Sequence, residues 1–209
     1  MRIGKGTLGL AALALVVAGG AKGTTLADLN GGQSLTVGDL TFSDFTITAT
    51  GSADKNLADY TVLSLSDGFR IVGGIAAFDA EQGDLLVSYD VTANGEPVND
   101  IRLAFNGAAV GAHSGAAVSE DLFSNGNPIA SANVSQVAGG VSQKVDTATF
   151  APQTSFTVEK DILVKAGAGG LATISFVDQE FSVVPEPGSL ALLGGGLAGL
   201  FALGRKRKA

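Results

Sequence analysis

Cysteine and tryptophan are absent from this chain of 209 residues, and methionine and histidine occur once each. Without thiols there can be no disulfide and no thiolate metal site, so packing has to hold the fold together even in an oxidising compartment. The single imidazole, His113, lies in a loop of small residues, and a His-based zinc centre would need several carboxylates to converge on it. Ser114 follows it directly, but no G-x-S-x-G elbow is present, so nothing in the sequence announces a Ser–His–Asp arrangement. The two tyrosines, Tyr60 and Tyr89, are the only rings with a polar tip that could stack on a sugar while staying wet, and packing in a core or an interface is their other reading. Positive charge is also scarce where it would matter. Arg2, Lys5, Arg205, Lys206, Arg207 and Lys208 stand near the ends, which leaves seven Lys and Arg against nineteen Asp and Glu over residues 22–184, a net of −12. Such a surface opposes nucleic acid and anionic lipid and attracts divalent cations.

What the middle of the chain does have is alternation of period two. Leu85, Val87, Tyr89 and Val91 alternate with Ser88, Asp90 and Thr92, and the run stops at Asn94-Gly95-Glu96-Pro97. From Leu40 to Thr50 the apolar parity switches near Asp44, which predicts a bulge or bend. Tyr60–Leu65 and Phe69–Val72, on either side of Ser66-Asp67-Gly68, read as a hairpin. Ile101–Phe105 ends at Asn106-Gly107, which predicts a turn. Further strands are expected over Ala117–Phe123, Ile129–Val137, Thr147–Phe150, Ser155–Val164 and Leu171–Val183, with Ala151-Pro152 among the breaks between them. About ten short strands without helical periodicity argue an all-β fold, an antiparallel β-sandwich or jelly-roll-like body over residues 22–183, with helices confined to the two termini.

The termini read differently. Arg2 and Lys5 precede the apolar run Leu8–Ala18, and Gly19 and Ala21 are small residues placed for a cut after Ala21, so residues 1–21 read as a secretory signal peptide, a substrate of signal peptidase. At the other end, residues 184–209 hold Pro185-Glu186-Pro187, an uncharged stretch from Gly188 to Gly204, and the basic cluster Arg205, Lys206, Arg207 and Lys208. As a helix the stretch is about 25 Å long against a hydrocarbon core of roughly 30 Å, a short span stopped by its cations on the cytoplasmic side. The two prolines keep the residues before it extended and exposed, in a form a protease or transpeptidase can grip. This order of Pro-Glu-Pro, short apolar segment and basic end resembles the PEP-CTERM sorting signal. The resemblance implies recognition by an exosortase in the inner membrane, processing near Pro185, Glu186 and Pro187, a transient membrane anchor, and delivery to the cell surface or extracellular matrix.

Chemistry in the body is less apparent. Asp79, Glu81 and Asp84 surround a glycine turn and are candidate calcium ligands, although the twelve-residue EF-hand frame is missing and a solvated acidic loop is the plainer reading. Glu120-Asp121 and Asp178 with Glu180 are paired carboxylates of the kind a glycosidase needs, but spacing along the chain cannot show a groove between them. The expectation is an exported protein that needs no cofactor, is not an enzyme, and has a structural or adhesive body. The alternatives are a carbohydrate-binding module for extracellular polysaccharide and a secreted hydrolase.

Overall fold

The computed structural model describes residues 23–184. Numbered in chain order, thirteen strands among them form two antiparallel sheets. The first has six strands in the order β1 (Thr24–Thr25), β4 (Thr61–Ser64), β5 (Gly68–Phe78), β13 (Leu171–Val183), β7 (Val98–Val110) and β11 (Val145–Gln153). The second has seven, β10 (Ser142–Gln143), β9 (Asn127–Val137), β8 (Gly115–Ser124), β12 (Ser155–Lys165), β6 (Gln82–Ala93), β3 (Leu40–Gly51) and β2 (Leu35–Val37). Each sheet is amphipathic, and the two bury their apolar faces against each other. From β6 the inward residues are Leu85, Val87, Tyr89 and Val91, all buried. Rings interlock at one end of this core: Phe42 meets Phe69 edge-on at 5.0 Å, and Phe45 stacks on Tyr89 at 5.0 Å.

The parity switch in β3 is a bulge. Pairing with β6 shifts register between Ser43 and Thr46, and Asp44 takes a φ of 55°, so Phe42 and Phe45 both face inward although three positions apart. The expected hairpin is present, with Leu63 opposite Arg70.

Three expectations are corrected. Asn106-Gly107 is no turn, because β7 runs on to Val110 and both residues pair with β13. Glycine is needed there for another reason: a Cβ on Gly107 would lie 2.3 Å from the ring of Phe105. Ala151-Pro152 does not end its strand either. β11 lies at a sheet edge, where a missing N–H costs no ladder bond, and its register shifts between Thr149 and Gln153. Nor is helix confined to the termini, since α1 (Leu26–Asn30) lies within the body. Its nucleus is a capping box in which the Thr25 hydroxyl accepts from the Asp28 N–H (3.2 Å) and the Thr25 N–H donates to the Asp28 carboxylate (2.9 Å). Five residues are too few to show a 3.6-residue period. The helix buries Leu26 and Leu29, and the Asn30 side-chain oxygen accepts from the Ile47 N–H (2.8 Å) just past the bulge.

Candidate functional site

Strand β12 is the middle of the seven-stranded sheet, and its alternation gives it two chemistries. Phe156, Val158, Lys160, Ile162 and Val164 point into the core, while Thr157, Glu159, Asp161 and Leu163 face outward. On the outer side Glu159 stands directly opposite Asp121 of β8 and Ser88 of β6, and Asp161 opposite Ser119 and Leu86. With Thr46 and Thr48 of β3 these residues line a groove of about 430 Å³. The sheet thus assembles three carboxylates and four hydroxyls on one surface from four strands. Like charges paired across strands repel each other, so this face gains by binding a cation or a donor of hydrogen bonds.

At the end of the groove Asp161 is in hydrogen-bond contact with Asp84, and burial, that contact and the neighbouring charge, in that order, push its carboxyl up to about 6. One oxygen of each carboxyl is buried without a protein partner. Asp161 therefore keeps its proton up to about pH 6 and is mostly ionised at neutral pH, where its charge adds to that of its neighbour.

Asp84 is thus drawn away from the other calcium candidates. Asp79 and Glu81 belong to the β5–β6 turn, where Asp79 accepts from the Gly169 N–H (2.9 Å) and Glu81 from the Phe78 N–H (3.2 Å). Among the described residues no group of three acidic, His or Cys side chains is arranged to hold a metal ion. Asp178 and Glu180 share one face of β13, and each is bound by an arginine of a neighbouring strand. Arg70 clasps Asp178 through two bonds (2.5 and 2.7 Å) while lying over the Phe176 ring, and Arg102 reaches Glu180 at 2.8 Å. Glu120 and Asp121 point to opposite faces of their sheet. His113 sits in the β7–β8 turn at φ 62°, while the hydroxyl of Ser114 accepts from the Gly167 N–H (3.0 Å), so neighbours in sequence do unrelated jobs. Tyr60 and Tyr89 are each 1% exposed and belong to the core, not to a sugar platform. Ala21, Pro185, Glu186, Pro187, Arg205, Lys206, Arg207 and Lys208, and with them both terminal helices, lie outside the described residues. Among the described residues no helix is long and apolar enough to cross a membrane.

Inside the sandwich is a polar cluster that sequence reasoning passed over. Lys160 of β12 donates to the carboxylate of Glu120, its cross-strand partner on β8, and to the side-chain oxygen of Gln179 on β13 in the opposite sheet (2.6 Å). Burial lowers the Lys160 pKa against the opposing pull of Glu120, and burial beside that carboxylate raises the Tyr89 hydroxyl. Parity was the available signal: Lys160 falls in the inward register of Val158 and Ile162, Glu120 in that of Val118 and Leu122, and Gln179 in that of Val177 and Phe181.

Comparison with solved structures finds matches at low identity and low TM-score. TmCBM61 in complex with β-1,4-galactotriose is 13% identical over 66% of this chain and 88% of its own, with a TM-score of 0.35. A family 6 carbohydrate-binding module from Clostridium cellulolyticum in complex with xylose is 18% identical over 59% and 87%, with a TM-score of 0.26. The C-terminal CBM6 of LamC from Zobellia galactanivorans is 12% identical over 66% and 99%, with a TM-score of 0.27. No curated protein matches the chain. Residues 183–208 match the PEP-CTERM protein-sorting motif.

Proposed function

We propose that this chain, which carries a PEP-CTERM protein-sorting motif, is an exosortase substrate whose sandwich body works as a structural or adhesive module of the cell surface or extracellular matrix. The motif implies export and exosortase processing with a C-terminal membrane anchor. In this reading signal peptidase removes residues 1–21 after Ala21, residues 22–183 form a jelly-roll-like body, and residues 184–209 hold it in the inner membrane until processing near Pro185, Glu186 and Pro187. Arg205, Lys206, Arg207 and Lys208 stop transfer, the acidic body has no use for nucleic acid, and no cofactor is required.

One observation carries the structural role. Strand β13, which runs directly into the sorting motif, is paired on both sides, with β5 and with β7, and the Val184 N–H donates to the Pro97 carbonyl (2.9 Å). Ladder bonds lie perpendicular to their strands, so tension along β13 loads many of them at once. A body held or pulled by its C-terminal end benefits from that placement. Replacing Pro185-Glu186-Pro187 with alanines, or deleting the host's exosortase, is expected to leave the precursor in the inner membrane; unchanged release would overturn the sorting reading.

A second reading, a module for extracellular polysaccharide, is favoured by the groove, whose carboxylates and hydroxyls can accept and exchange hydrogen bonds with a polyhydroxylated chain. For hydrolysis the Asp84–Asp161 pair is poorly spaced. Glycosidase carboxyls stand roughly 5–10 Å apart across the scissile bond, and these two touch.

A further inference from the structure

Lys160, Glu120 and Gln179 are 2%, 1% and 1% exposed, and between them they join the centres of the two sheets. An ionised lysine and glutamate in such a place carry a heavy desolvation cost, returned only if every lone pair and proton is matched. Here the match is incomplete: Oε1 of Glu120 and Nε2 of Gln179 have no protein partner. The Lys160 nitrogen lies 2.6 Å from the carboxamide oxygen of Gln179, which sets it beside the electrophilic Cδ of the same group. The carboxyl that Lys160 touches on its other side can carry protons between the attacking and leaving nitrogens.

We propose that Lys160 and Gln179 are a self-modification site at which the folded chain forms an intramolecular isopeptide bond, with Glu120 as proton carrier. Attack requires the neutral amine, the form towards which burial drives Lys160. The lone pair of Nζ attacks Cδ of Gln179, forming the C–N bond. Glu120 takes a proton from the attacking nitrogen and supplies one to Nε2, whose bond to Cδ then breaks. The products are a secondary amide between the two side chains and one ammonia, and no oxidant, metal or cofactor enters the balance. The step replaces a buried ionisable amine with a neutral group and gives a cysteine-free chain a covalent tie between its sheets. It stands apart from the sorting reading, because it depends only on the folded body.

Peptide mapping of the purified full-length folded protein tests it. Lys165 lies between Lys160 and Gln179 in sequence, so tryptic cleavage after Lys165 separates the two unless they are joined. The expected result is a single cross-linked species, uncut at Lys160 and lighter by one ammonia than the sum of its two peptides. Glu120→Gln, which keeps the shape but cannot shuttle protons, is expected to return two unmodified peptides. Lys160→Arg should do the same. Two separate, unmodified peptides from the wild type would overturn the proposal whatever the variants do. So would a species lighter by one water, which would join Lys160 to Glu120 instead.

Discussion

Asp161 shows how far one residue's chemistry depends on its neighbours. Its folded pKa of about 6 lies above the ordinary 3.8, so between those values the native state holds the extra proton and loses stability as pH rises through the window. Because the pair is partly wet, solvent screening reduces the effect to about 1 kcal/mol at neutral pH. Asp161→Asn is therefore expected to raise the melting temperature at pH 7 by roughly 2–4 °C, with the gain shrinking towards pH 4. Identical melting of the two proteins at pH 7 would count against a raised Asp161 carboxyl. None of this was legible in sequence, since Asp84 and Asp161 lie far apart in the chain and meet only because β6 and β12 are neighbours. Lys160, Glu120 and Gln179 were half legible: the period-two alternation puts each on an inward face, but alternation names a face and not the partner across it.

Among the elements, β3 shows how a bulge and a glycine tie a strand into its surroundings. The strand ends at Gly51, whose φ is +64° and where a Cβ would lie 1.9 Å from the Gln82 carbonyl oxygen. Gly38, at φ +56°, has open space where its Cβ would be. Both positions disfavour an L side chain, but only the first also forbids its volume. Gly51→Ala is expected to cost about 1–3 kcal/mol by denaturant titration, and Gly38→Ala about 1–2 kcal/mol from backbone strain alone. Equal midpoints for the two variants would show that the close approach to Gln82 is relieved without cost. The same scale explains where turn signals misled. Asn-Gly predicts a hairpin only when no neighbouring strand claims its backbone, and β13 claims Asn106 and Gly107. Helix α1 is held by one capping box and two buried leucines, below the length at which a period can be seen.

The molecule as a whole is a sandwich with an acidic groove on one outer face and arginine-clasped carboxylates on the other. If the groove receives polysaccharide, the released body is expected to be retained on the host's own exopolysaccharide, and the double variant Asp121→Asn with Glu159→Gln should pass through. No retention of the wild type, with or without calcium, would leave the structural role standing alone. The sequence by itself determined the sorting motif, the lack of disulfides and the two-faced strands, because targeting signals and period-two alternation are written in consecutive residues. Only tertiary structure decided which strands became neighbours, which carboxylates met in the groove, and that one lysine crosses from sheet to sheet towards a glutamine. Those outcomes depend on packing between segments distant in the chain, and no local pattern encodes the distance between two faces.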